Sequence, residues 1–165
     1  MMDRGVPFEL PSAVVLRDEV IELRPIRRLG PTDAEARPAG LEFLAAAFEY
    51  RFAIHRRADG LRVGRIHLRS TADPGITRTL GHLGYAIDEE HRRQGYAVRS
   101  LRLLLGVARH FEIAPLWVLI EPENIASCRV AERCAFDLIE ELATAPAGIA
   151  QGLGPRVRHY RRLIP

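Results

Sequence analysis

The feature that most constrains the fold is a change of hydrophobic period near the middle of the chain. Apolar and polar residues alternate through residues 50–57 and 61–69, which predicts two strands joined as a hairpin by the turn at residues 58–60. From Ala97 to Ala108 apolar residues recur instead at i, i+4, i+7, i+8 and i+11, the spacing of one helix face. Strand period followed by helix period predicts a mixed α and β fold.

Further elements follow from the same criteria. The run 116–120 is wholly apolar and bounded by prolines, which indicates a strand buried on both faces. Gly81 and Gly84 predict a bulge or a close backbone approach in the strand that precedes the main helix. Residues 70–79 are expected to form a polar loop, and the meander around it one Arg-rich solvent face. The other predicted elements are strands at 20–26, 80–88, 136–142 and 156–163 and helices at 41–48 and 124–134.

Length and composition limit the class of protein. The 165 residues predict a single domain, residues 1–165, and 47% hydrophobic with 27% charged residues excludes fibrous and disordered chains. All 24 basic residues are Arg, yet the net charge is only +3, which suits an anionic small molecule and is too weak to indicate nucleic acid. With two cysteines and no stretch of signal-peptide or membrane-span length, we expect a cytoplasmic location without membrane insertion.

The segment between the predicted strand at 80–88 and the main helix is the most informative for chemistry. Gly95 lets a ligand approach the backbone, Ala97 leaves room, and the amides of the helix N-terminus attract negative charge. Arg92 and Arg93 add positive charge. The segment therefore predicts a cradle for a pyrophosphate, although so short a motif taken alone is far more often a solvated turn.

A second motif occurs at residues 124–136, where Asn124 and Ser127 open the second helix and Phe136 follows it. Together, Arg92-x-x-Gly95-x-Ala97 and Asn124-x-x-Ser127 resemble the signatures of the GNAT superfamily of N-acyltransferases, closest to the Ser-bearing branch that includes ribosomal-protein N-terminal acetyltransferases. The resemblance implies a twisted, mostly antiparallel sheet of six to seven strands, flanked by helices. It also implies that the sheet splays between strands 80–88 and 116–120.

The same resemblance implies acetyl-CoA, or another short acyl-CoA, as cosubstrate and no metal. The acceptor would be a primary amine of a small molecule or a protein N-terminus, with no nucleic acid or membrane partner. A homodimer stays open, because an exposed final strand at 156–163 could pair with another chain. The residues that the resemblance places at the cosubstrate are Tyr85, Ala86, Ile87, Arg92, Arg93, Gln94, Gly95, Tyr96, Ala97, Asn124 and Ser127.

The resemblance also implies direct attack of the amine on the thioester. Many family members place a tyrosine general acid where this chain has Ala131, so the acid role passes to Ser127, with Asn124 orienting it or a water. Ser127 serving only as a helix cap is the alternative. A catalytically weak acyl-CoA sensor is the corresponding alternative function.

A general base is needed when the acceptor is a protonated amine. The candidates are His82 beside the two strand glycines, Glu121 at the end of the buried strand, and Glu90 before the cradle. A packed strand histidine and exposed turn carboxylates are the alternatives. Cys128 is expected to be a buried thiol, and Tyr160 to lie on the polar face of the last strand.

Overall fold

Residues 13–29, 47–71 and 73–164 are described by the computed structural model and form one sheet of eight strands with helices on both faces. The strands are β1 Leu16–Arg17, β2 Ile21–Leu29, β3 Phe48–Arg56, β4 Arg62–Ser70, β5 Leu83–Ile87, β6 Leu116–Ile120, β7 Asp137–Ala143 and β8 Arg156–Arg162. The helices are α1 Pro74–Leu80, α2 Tyr96–His110, α3 Ile125–Arg133 and α4 Pro146–Ala150, with a 3-10 turn at Glu89–His91.

The sheet is mostly antiparallel, as predicted, and runs in the order β1-β2-β3-β4-β5-β6-β8-β7. The strand count exceeds the predicted six to seven because the two-residue β1 pairs with β2. β5 and β6 are parallel and are matched at the single pair Leu83 and Val118, just after the N–H of His82 donates to the C=O of Trp117 at 2.8 Å. Beyond that pair the strands separate, which confirms the predicted splay.

Alternating side chains divide the molecule into two layers around the sheet. Leu116 and Val118 of β6 join the core that α2 and α3 cover, where Leu101 and Leu104 of α2 are fully buried. Trp117 points to the other face, where Arg78 of α1 lies 5.9 Å from its ring centroid. The apolar run 116–120 is therefore covered on both sides, because α1 and α4 pack on the face opposite α2 and α3.

Residues 70–79 are not the predicted loop, because α1 forms there. Asp73 accepts the N–H of Gly75 at 2.7 Å as the N-cap, and Pro74 occupies the first helical position. Ile76 and Leu80 are buried in a small cluster with Ala47. Capping chemistry and one apolar pair suffice for this short helix, which carries too few turns to give a periodic signal.

The predicted Arg-rich solvent face is wrong at Arg69, which is 6% exposed. Its Nε lies 2.8 Å from Oε2 of Glu49, and its guanidinium donates to the C=O of Leu80 at 3.2 Å. Burial alone would raise the pKa of Glu49, but Arg69 and its neighbours lower it to about 2. The partner carboxylate comes from β3, so the pairing depends on strand register and not on local sequence.

The last strand is not exposed, because β8 lies between β6 and β7 and leaves β7 at the sheet edge. Tyr160 is correspondingly 1% exposed and not on a polar face. Arg156 and Arg158 of β8 instead pair with Glu141 of β7 at 2.9 and 3.1 Å.

The predicted helix at 41–48 falls largely outside the described residues, and its last residue begins β3. Among the described helices, none combines the length and apolar character needed to cross a bilayer.

Candidate active site

A cavity of about 280 Å³ opens where β5 and β6 separate. Beyond the pair Leu83 and Val118, main-chain groups of these two neighbouring strands face each other without pairing. The cavity is lined by Arg65, His67, Leu83, Gly84, Tyr85, Ala86, Val118, Leu119, Ile120, Glu121, Asn124, Ser127 and Leu153.

The cavity connects the two faces of the sheet. Tyr85 packs against the core on the α2 and α3 side, where Ser127 also lies at the start of α3. Gly84 lies opposite His67 on the other face. Oε1 of Glu121 accepts the N–H of Gly154, in the connection from α4 to β8, at 3.1 Å. A molecule in the cavity therefore meets Ser127 from one side and Glu121 from the other.

The backbone of β5 presents two residues to the groove. The Asp88 N–H donates to Val63 and the Arg69 N–H to His82, so the alternate residues Gly84 and Ala86 direct their main-chain groups to β4. Tyr85 and Ile87 direct theirs toward β6, beyond the last matched pair. Of the predicted contacts on β5, Ala86 therefore has its amide engaged within the sheet.

The turn before α2 is shaped by two left-handed residues, Arg93 with φ of 62° and Gly95 with φ of 82°. The Arg99 N–H is the first in the helix to find an intrahelical acceptor, the C=O of Gly95. The amides of Tyr96 and Ala97 are therefore left directed out of the helix end. The first turn of α2 carries no acidic residue, so the helix dipole acts there without an opposing charge.

The predicted cradle fits a diphosphate. A Cβ built on Gly95 would meet no heavy atom within 4 Å, so the space above the helix end is open. The Tyr96 ring is 5% exposed and its hydroxyl donates to Oε1 of Gln94 at 3.1 Å, which fixes the turn to the core. Nε of Arg92 donates to the C=O of Ile87 at 3.2 Å and ties the turn to the end of β5.

The second motif begins α3. Oδ1 of Asn124 accepts the N–H of Ser127 at 3.1 Å, so Asn124 is the N-cap and Ser127 is not. The Ser127 hydroxyl has no hydrogen bond to the described residues and faces the cavity. The Tyr85 hydroxyl donates to the C=O of Ser127 at 3.0 Å and links β5 to α3 across the groove. Burial raises the pKa of Tyr85, so this donor stays protonated. Ala131, where many relatives have tyrosine, is fully buried.

His82 is placed differently from the other base candidates. Its Nδ1 accepts the N–H of Trp117 at 3.0 Å, and its Nε2 lies 3.2 Å from the C=O of Thr71. Burial lowers the pKa of His82 to about 4. Both ring nitrogens are therefore occupied by backbone groups, and the neutral ring joins β6 to the segment before α1.

The two carboxylate candidates for the general base differ in their distance from the cavity. Glu121 is half-buried in the cavity wall. The Glu90 side chain is 80% exposed on the 3-10 turn, lies 3.3 Å from His91 and does not line the cavity. Among the residues that the structure describes, Glu121 is the one carboxylate side chain that lines the cavity.

Arg65 and His67 are cavity residues that the sequence analysis did not single out as site residues. The alternation of β4 predicted an Arg-rich polar face that includes Arg65, but it did not show that this face opens into the groove. Nε2 of His67 is buried without a hydrogen-bond partner among the described residues. Burial, assisted by the charge of Arg69, lowers the pKa of His67 to about 3, so the ring is neutral.

Gly84 explains the predicted close approach, because a Cβ there would lie 2.3 Å from Cε1 of His67. We expect Gly84→Ala to lower the free energy of unfolding by about 1–3 kcal/mol, the usual effect of overpacking. The control Gly106→Ala, in an exposed helical position with nothing within 4 Å, should raise it by about 0.4–1 kcal/mol. Urea unfolding measures both changes. Equal stability of Gly84→Ala and the unaltered protein would contradict the contact, and pairing Gly84→Ala with His67→Ala should recover part of the loss.

Other reactive groups are set apart from the groove. Cys128 and Cys134 are free and buried, as expected for Cys128. No cluster of three or more His, Cys, Asp or Glu side chains suited to a metal occurs in the part of the chain that the structure describes.

Known proteins share both the sequence pattern and the fold of this chain. The profile of the Acetyltransferase (GNAT) domain family matches residues 17–137, and no curated protein matches the sequence. Among solved structures, a candidate ribosomal-protein-serine acetyltransferase from Vibrio cholerae superposes with a TM-score of 0.65 at 18% identity, covering 94% of this chain and 100% of that one. RimL, a ribosomal L7/L12 alpha-N-protein acetyltransferase in complex with coenzyme A, gives 0.63 at 18% identity over 92% and 98%.

A third structure, the Microcin C7 self immunity acetyltransferase MccE with acetyl-CoA and AMP, gives 0.56 at 17% identity over 70% of this chain and 61% of that one. At these identities the structural likeness concerns the fold, while the profile match covers most of the chain. The chain therefore belongs to the GNAT family of acetyltransferases, and acetyl-CoA is its acyl donor.

Proposed function

We propose that this protein transfers an acetyl group from acetyl-CoA to a primary amine by direct attack, with Ser127 as general acid and Glu121 as general base. The observation that carries the proposal is that both side chains line one cavity in the splay of the sheet. A hydroxyl on the α3 side and a carboxylate on the α1 and α4 side suit the two proton transfers that amide formation requires.

The residues of the cradle and the groove would hold the cosubstrate in a defined direction. The amides of Tyr96 and Ala97, with Arg92 and Arg93, would bind the diphosphate at the start of α2. The main-chain groups of Tyr85 and the N–H of Ile87, which face away from β4, would pair with the amides of the pantetheine arm. The thioester would then lie deep in the splay, close to the start of α3.

Two side chains carry the two proton transfers of the proposed reaction. Glu121 takes a proton as the amine nitrogen bonds to the acyl carbon, and the C–S bond breaks with its electron pair leaving on sulfur. Ser127 gives that sulfur a proton and regains one from solvent. Asn124 holds the backbone of Ser127 in place through the N-cap bond and acts as a positioning residue. His82, with both nitrogens bound to the backbone, supports the strand pair instead of serving as base.

Replacement of Glu121 tests the base role. Glu121→Gln keeps an oxygen for the Gly154 amide but cannot take a proton, so we expect a rate at least about 10-fold lower at pH 7. The variant then depends on free amine, whose fraction rises about tenfold per pH unit below the amine pKa. The deficit should therefore shrink toward pH 9.

Initial rates of thiol release at saturating acetyl-CoA, from pH 6 to 9, measure this profile. Glu123→Gln, on the exposed turn beside it, is the control and should keep the profile of the unaltered protein. An unchanged rate for Glu121→Gln at pH 7 would remove Glu121 as the base.

A second candidate function is an acyl-CoA sensor with little turnover, favoured by Ala131 in place of the usual tyrosine. An amine panel decides between the two, because the sensor binds acetyl-CoA without releasing thiol. α-Amines belong in that panel, since RimL acts on the alpha-amine of a ribosomal protein and the base demand is lower for an amine near pKa 8 than for lysine near 10.4.

A further inference from the structure

We propose that the acceptor amine carries a carboxylate close to its amino group, and that Arg65 and His67 bind this carboxylate on the face of the sheet opposite α2. The inference rests on the proposed function, because it names the substrate class of the same site. It starts from the two polar side chains of β4 that line the cavity.

Arg65 stands in a depression of the sheet. Its cross-strand neighbours are Ala53 of β3 and Ala86 of β5, so no long side chain directly beside it covers the guanidinium. Arg65 is exposed and lines the cavity. A guanidinium at the wall of a cavity, beside small neighbours, has the planar pair of donors that suits a carboxylate.

The pairing of the surrounding arginines distinguishes Arg65. Arg51 pairs with Glu49 at 2.6 Å, and Arg69 pairs with the same carboxylate at 2.8 Å. Arg24, further along the sheet, pairs with Glu22. Within residues 13–29, 47–71 and 73–164, Arg65 forms no ion pair. Arg65 therefore brings to the groove a positive charge that no described carboxylate neutralises.

His67 adds a hydrogen-bonding group on the same face, two residues along β4. Its Nε2 is buried without a partner among the described residues, which is an unfavourable state for a polar atom. The ring is held over Gly84, so it has little freedom to turn away. Because the ring is neutral and Nδ1 is not enclosed as Nε2 is, an N–H on Nδ1 can donate to a carboxylate oxygen beside the guanidinium.

The charges of the cavity orient such an acceptor. Glu121 lies in the wall formed by β6 and attracts the ammonium group, while Arg65 lies in the wall formed by β4 and attracts the anion. A single uncompensated guanidinium matches the single charge of a carboxylate. A phosphate, with a charge of about −1.5 to −2, would leave excess negative charge near Glu121.

Binding of matched peptides tests the inference without requiring turnover. The probes are tripeptide amides with a free N-terminus and either Asp or Asn at the second position, titrated by calorimetry into the full chain saturated with CoA. We expect the Asp peptide to bind about 10- to 100-fold more tightly, the range of a charge-assisted pair. Arg65→Gln should reduce that ratio to within about twofold, and Arg65→Lys should retain part of it.

Arg62→Gln is the matched control, because Arg62 is exposed on the same strand and does not line the cavity. It should keep the full preference, and CoA affinity should be equal in all variants. Equal binding of the two peptides, or a preference that survives Arg65→Gln, would overturn the inference. A phosphoserine peptide that binds more tightly than the Asp peptide would overturn the assignment to a carboxylate. Arg65-dependent binding without thiol release would support the inference while contradicting the proposed transfer.

Discussion

Replacing Ser127 by alanine is expected to lower kcat by about 10²- to 10⁴-fold, while the Kd for CoA changes by less than about twofold. The helix cap is formed by Asn124 and the N–H of Ser127, and both remain in the variant. The substitution therefore removes the hydroxyl that faces the cavity without removing the interaction that begins α3. Steady-state thiol release gives kcat, and calorimetry gives the affinity.

Ser100→Ala is the control for this experiment. The Ser100 hydroxyl donates to the C=O of Ala97 within α2 at 3.0 Å and does not line the cavity, so its loss should leave kcat unchanged. An undiminished kcat in Ser127→Ala would remove Ser127 as the acid. Equal losses of kcat in both variants would indicate damage to the fold and not to the acid.

Replacing Gly95 by valine is expected to weaken CoA binding at least about 10-fold. The added side chain would enter the open space above the first amides of α2, where we propose that the diphosphate binds. The left-handed backbone at Gly95 also imposes a strain of about 1–2 kcal/mol on any residue with a Cβ. Calorimetry with CoA and thermal unfolding without it measure the two effects separately.

Gly60→Val separates strain from occlusion. Gly60 lies in the hairpin turn between β3 and β4 with φ of 72°, and its Cβ would also meet nothing within 4 Å. Both variants should therefore lose similar thermal stability, and only Gly95→Val should lose affinity for CoA. Unaltered CoA affinity in Gly95→Val would contradict the cradle.

Much of the fold follows from patterns within single elements. The run 116–120 coincides with β6, and the helical stripe from Ala97 to Ala108 lies within α2, because each pattern extends over enough residues to show its period. α1 has seven residues and α4 five, so capping and burial form them where periodicity gives no signal. Strand order adds a further limit, since β8 enters the sheet between β6 and β7.

The sequence by itself determined the local parts of the site. The turn from Arg92 to Ala97 and the cap at Asn124 each lie within a few consecutive residues, so their backbone geometry depends on residue type and on the helix that follows. Tertiary structure alone decided which side chains face one another. Because of the strand register and the splay after Leu83, Arg65 of β4 lines the same cavity that Ser127 of α3 faces. Strand packing also places a backbone group at each ring nitrogen of His82. Contacts between residues so distant along the chain follow from the packing of the whole sheet, which no short stretch of sequence encodes.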